Sequence, residues 1–115
     1  MRTLFVGKNN ELKDKLEVSA DGGTTYTGVD LTAATGLKLE IFDVPTTILI
    51  EKDGLAHFTV DALGNAKWQP GAADVTTDHL GIHKYRWTVK TALEPQGVVF
   101  DVESDGRLLQ VEIKR

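Results

Sequence analysis

The sequence has no cysteine. That excludes a disulfide framework, a thiolate zinc site and a cysteine nucleophile together, and it fits folding in a reducing cytoplasm. Serine is nearly absent as well: the chain holds only Ser19 and Ser104. Neither sits in a sharp strand-to-helix elbow, so Ser/His/Asp catalysis has no nucleophile. No stretch approaches the ~20 apolar residues of a membrane span. The opening "MRTLFVGKNNEL" has too short an apolar run for a secretory signal, so a soluble chain with nothing directing export is expected. No helical stripe of useful length appears, and "GVDLTAATG" lacks the lysine of a phosphate-binding loop. The net charge of -4, from 13 basic and 17 acidic residues, lacks the basic excess of a nucleic-acid binder.

What is present is alternation. "LKLEIF" sets Leu37, Leu39 and Ile41 on one face, and "FTVD" sets Phe58 and Val60. "YRWTVKT" turns Tyr85, Trp87 and Val89 inward, and "VVFDVE" turns Val98, Phe100 and Val102. "LLQVEIK" does the same with Leu109, Val111 and Ile113. A period of two marks strands with one buried and one wet face, as in antiparallel sheets. Strands are expected near 2–7, 12–18, 36–42, 46–51, 55–61, 83–91, 97–103 and 108–114, with a short edge piece at 26–29. Asp-Gly in "KDG" (52–54) and "SDGR" (104–107) suits tight hairpins, and "EPQG" (94–97) places Pro95 second in a turn. "ADGG" (20–23) is a further turn, and 70–81 is the best candidate for a helical turn or crossover. A chain of 115 residues suits one domain, 1–115. The expected fold is all-β: an antiparallel β-sandwich, immunoglobulin-like, with seven to eight strands.

One strand is awkward. In "ELKDKLEV", Asp14 shares a face with Leu12, Leu16 and Val18, which predicts a bulge there or a strand that begins after it.

Candidate chemistry is sparse. Asp78, His79 and His83 crowd one stretch, but Gly81 lies between the histidines and His83 opens a strand. The i, i+4 spacing therefore loses its helical meaning, and no metal site is expected. The stretch reads better as a tyrosine corner, with Leu80 plugging the core, Gly81 turning, and the Tyr85 hydroxyl bonding upstream backbone. Asp101 and Glu103 share an outward face as ordinary solvated acids. Trp87 alternates with core residues and is expected to be buried. Trp68, before a Pro-Gly break, either caps the core or is exposed as an interaction residue.

Three stretches carry a family resemblance. "VDLTAATGLKLEIF", "GNAKWQPGAADVTTDHLGIHKYRW" and "VVFDVESDGRLLQVEI" resemble, in order and spacing, the immunoglobulin-like domains of tailed-phage structural proteins. These include the amino-terminal domain of baseplate upper proteins and related tail and head–tail proteins. The resemblance covers roughly residues 8–114. It implies a non-enzymatic structural or assembly module of a phage or prophage particle. Its partners would be other phage structural proteins and itself as a homo-oligomer, with no nucleic acid and no membrane. It implies a virion location after synthesis in the host cytoplasm, no cofactor, and no catalytic or metal residue. The candidate interaction residues are Leu4, Phe5 and Val6, in an apolar N-terminal strand that either pairs with a neighbour or pairs within its own sandwich as an ordinary first strand, and Trp68. The alternative is a carbohydrate-binding β-sandwich, which requires Trp68, Tyr26 and Phe42 to line one face. A small enzyme would require a cleft with converging ionisable groups.

Overall fold

The structure, a computed structural model, describes residues 2–19, 21–43, 47–100 and 108–112. The expectations for Val102, Ile113, Asp101, Glu103 and the turn residues 104–107 fall outside the described residues. The first strands are β1 (Arg2–Phe5), β2 (Leu12–Lys15), β3 (Glu17–Val18) and β4 (Thr27–Gly28). β5 (Gly36–Asp43), β6 (Thr47–Asp53), β7 (Phe58–Val60) and β8 (Asn65–Trp68) follow. The last are β9 (Gly81–Lys90), β10 (Val98–Phe100) and β11 (Leu108–Glu112). Three short 3-10 turns, Leu31–Ala33, Leu55–His57 and Thr77–His79, are the helical elements among the described residues. The protein is all-β.

The large sheet has the order β1-β11-β9-β5-β6, and β10 joins it on β9. A three-stranded sheet, β2-β8-β7, and the pair β3-β4 complete the described strands. Alternation explains the large sheet's inner face: Leu37, Leu39 and Ile41 of β5, Tyr85, Trp87 and Val89 of β9, and Leu109 and Val111 of β11 are buried. Leu12, Ala66 and Trp68 of the smaller sheet belong to the same core cluster. Trp87, fully buried, meets the Phe58 ring edge-on at a centroid distance of 5.3 Å, which joins the two sheets.

Several local readings hold. Thr27–Gly28 forms the short piece expected at 26–29. The Gly97 N–H donates to Glu94 O (3.0 Å), closing the turn with Pro95 in second place. The 70–81 segment contains the turn Thr77–His79, capped by Thr76.

Others need correction. The large sheet is not wholly antiparallel, because β1 pairs with β11 in parallel. Parallel partners need a long connection, and these two lie far apart in the chain. "KDG" is not a hairpin: β6 pairs with β5, whereas β7 pairs with β8 in the other sheet. Gly54, at φ +125°, donates to Leu37 O (2.9 Å) and leads into the Leu55–His57 turn that carries the chain between sheets. β10 and β11 are not hairpin arms either. Both run antiparallel to β9, so they point the same way, end to end along its ten residues. β8 was not expected as a strand. It is short and follows Gly64, yet it is central in its sheet, with Ala66 and Trp68 inward.

The awkward strand has a simple resolution. Asp14 lies within β2, on the core side, with no bulge and no late start. Its Oδ2 accepts from the Tyr85 hydroxyl and the Trp87 Nε1, each at 2.8 Å. Its Oδ1 accepts from Arg2 Nε (3.2 Å) and from the second guanidinium nitrogen (2.9 Å). Tyr85 therefore bonds a side chain across the core rather than upstream backbone. Leu80, 42% exposed, is not a core plug. The hydrogen bond to Asp14 also holds the Arg2 pKa above its ordinary value, although burial works against it. One carboxylate thus links β1, β2 and β9.

After β2 the chain breaks at Leu16. Its N–H donates to Gly64 O (2.7 Å), and its O accepts from Val29 N (2.9 Å). Backbones pass so closely here that a Cβ on Gly28 would stand 1.7 Å from Leu63 O.

Two predictions follow from these contacts. Asp14→Ala strands the buried Tyr85 hydroxyl and Trp87 Nε1–H, and a buried donor left unpaired costs ~1–3 kcal/mol. Urea unfolding should show a loss of that size, with Asp14→Asn losing less because it keeps an acceptor. Gly28→Ala forces backbone apart and should cost at least ~1–3 kcal/mol. Gly71→Ala, whose added Cβ meets nothing closer than 3.6 Å, should leave the midpoint nearly unchanged.

Candidate functional site

The sequence-derived interaction residues do not form one surface. Leu4 is fully buried and Trp68 is 3% exposed, so both belong to the core. Phe5 and Val6 are partly buried. β1 does occupy an outer lane, but its edge is not left open at Phe5. The Phe5 N–H donates to Asn10 Oδ1, and Asn10 Nδ2 donates back to Phe5 O, both at 2.9 Å. The same Nδ2 reaches Lys8 O at 3.0 Å. An amide side chain thus stands where a neighbouring strand would pair. The expectation of an unguarded N-terminal strand is corrected for this reason.

The histidine stretch is built into its turn. His79 Nδ1 accepts from the Thr76 N–H at 3.1 Å, completing a capping box. His83 is buried, with Nε2 2.7 Å from His79 O. A carbonyl only accepts, so Nε2 carries the hydrogen. His83 Nδ1 makes no hydrogen bond and lies 3.9 Å from Asp43 Oδ1. Among the described residues, no three His, Asp or Glu side chains are grouped to hold a metal.

Among the described residues, two surface depressions stand out. One lies on the wet face of the smaller sheet, where Lys13 stands directly opposite Lys67, and Lys67 opposite Thr59. Its acid, Asp61, is engaged by Asn65 Nδ2 (2.8 Å) and by the N–H groups of Leu63 (2.8 Å) and Asn65 (3.0 Å). These bonds, that from the Asn65 side chain foremost, hold its pKa below the ordinary value. The large sheet's wet face carries a comparable internal pairing. Burial pushes Glu40 up, but Arg86 (Nε to Oε1, 3.1 Å) and Lys38 outweigh it and leave its pKa lowered. Arg86 also lies over the Phe42 ring at 5.2 Å. Trp68 is in the core while Phe42 faces this wet side, so the aromatic platform of a sugar-binding face is not assembled.

The other depression is apolar. Val18 and Val29 line it from the β3–β4 side, and Val89, Val98 and Phe100 from the large sheet. Thr91 and Glu94 are its polar members. Its volume is about 190 Å³. Small-molecule pockets run to about 300–1,000 Å³, so this groove suits side chains better than a compact ligand. Beside it, Val99 is 51% exposed and Leu93 92% exposed. The sequence hides this site because Val98–Phe100 reads as one arm of a hairpin. The available signal was "VVF" itself: three consecutive apolar residues make both faces of a strand apolar.

β10 also has an open side. Val6 N–H donates to Glu112 O (2.9 Å), so Glu112 turns its backbone to β1 and its neighbours in register turn theirs to β9. Following that alternation, Val98 and Phe100 face Val89 and Trp87, and the N–H and C=O of Val99 point outward. Among the described residues, no strand and no backbone hydrogen bond occupies that side.

The Asn10 clasp is testable. Asn10→Ala should lower stability by about 1–2 kcal/mol and speed exchange of the Phe5 amide, read by urea unfolding and hydrogen-exchange NMR. In the comparisons with known proteins, no family model matches the chain and no curated protein matches it.

Proposed function

We propose that this chain is a structural or assembly module of a phage or prophage particle, in its tail, baseplate or head–tail region. On this reading the two sheets form an immunoglobulin-like β-sandwich, and the protein works through contacts with other particle proteins rather than by catalysis. The observation that carries the proposal is the apolar β10 edge above its apolar groove. Exposed apolar surface concentrated beside an open strand edge is what a protein-contact module presents. The order and spacing of the three phage-like stretches supply the particle context. The ionisable groups described above are engaged in caps, turns and ion pairs, which suits a scaffold.

Quantitative mass spectrometry of purified particles from a producing culture tests this reading. The chain should be present in a fixed ratio to the major particle proteins. Its absence from particles, with the protein recovered in the host's free fraction, would reject the assignment.

A further inference from the structure

We infer that the lane beside β10 accepts an extended segment of a partner polypeptide by strand addition, with alternate apolar side chains seated in the groove below. The inference rests on the protein-contact reading and names where and what the contact is.

The sheet's lanes define the vacancy. β9 supports two strands on the side away from β5: β11 at one end and β10 at the other. The next lane holds β1, which pairs with β11 alone. A strand placed beside β10 would lie in line with β1 and continue a lane the protein already uses. Val99 offers it an N–H and a C=O. β10 carries none of the charges found on β2 and β6, where Lys13, Lys15, Glu51, Lys52 and Asp53 guard the edges.

The groove selects the occupant's chemistry. Main-chain pairing alone would fit any extended peptide, but alternate side chains of an added strand fall on the groove face. There they meet Val18, Val29, Val89, Val98 and Phe100, so those positions should be apolar and of Val or Leu size. Among the described residues lining the groove, Glu94 alone is ionisable; its Oε2 accepts from Gln96 Nε2 (3.1 Å), and a Lys or Arg at one end of the segment complements its charge. The residues between face solvent and are free to be polar.

The test uses the purified chain and synthetic six-residue peptides with Val or Leu at alternate positions and Lys at one end. Both sequence directions are tried, since parallel and antiparallel addition are open to an edge strand. Each peptide has an otherwise identical partner whose backbone is N-methylated, so the control lies in the peptide and no protein variant need fold. Saturable NMR shifts at the Val99 amide and at the Val18, Val89 and Val98 methyls are expected, lost on N-methylation and weakened in Glu94→Gln. No shift at Val99 up to millimolar peptide, or an equal shift with the N-methylated peptide, overturns the inference. Val99 protection without peptide, together with dimers in analytical ultracentrifugation, also overturns it by making a second copy the occupant. Peptide binding without particle incorporation would reject the phage reading alone; incorporation without peptide binding would reject strand addition alone.

Discussion

The interaction on which the structure turns is the carboxylate of Asp14. It is taken out of water on the core side of β2, where an unpaired charge would be untenable. Donors from Arg2, Tyr85 and Trp87 answer it. Those donors come from the large sheet and the acceptor from the smaller one, so the bonds exist only when the sheets are correctly juxtaposed. Apolar contacts alone tolerate sliding. A carboxylate with fixed donors does not: slipping β2 by one residue would turn Asp14 outward and drive Lys13 or Lys15 into the core. Trp87 and Tyr85, the two largest fully buried side chains among the described residues, are thereby held in orientation as well as position.

That constraint shows how the remaining edges are arranged. β1 is held through Arg2 at one end and clasped by Asn10 at the other. β2 and β6 carry charges. β10 has neither device, and the groove beneath it opens between the large sheet and the β3–β4 pair. β7, the other edge of the smaller sheet, is uncharged as well, so it is the adjoining groove that gives the apolar β10 edge its weight. A single exposed valine would be unremarkable on any surface.

The inner face of the large sheet was legible because burial on one side imposes a period of two, and β5, β9 and β11 are long enough to display it. The Pro95 turn was legible because proline fixes its own φ. What could not be read was which strands pair. Asp-Gly permits positive φ but does not say whether the next strand folds back or crosses to another sheet, as Gly54 shows. Nor does alternation reveal that β10 and β11 share one neighbour, since each would look the same beside the other. β8 escaped notice because four residues scarcely establish a period. Asp14 was visible as an anomaly, but its meaning depended on Tyr85 and Trp87 some seventy residues away. The candidate site was hidden for the same reason: it is a property of lanes, and lanes are set by distant pairing.

The parallel pairing of β1 with β11 bears on how the protein comes to be folded during synthesis. Arg2 lies opposite Leu109, so the partner of β1 is made roughly a hundred residues after it. Closing a loop of about a hundred residues is slow compared with forming the neighbouring β5–β6 contact, and it must wait for translation to supply β11. Until then the contacts available to β1 are local: the Asn10 clasp at Phe5, and the Arg2–Asp14 ion pair, worth only ~0–1 kcal/mol while Asp14 is still in water. The large sheet is therefore completed only when β11 has been made, long after β5 and β6 can pair.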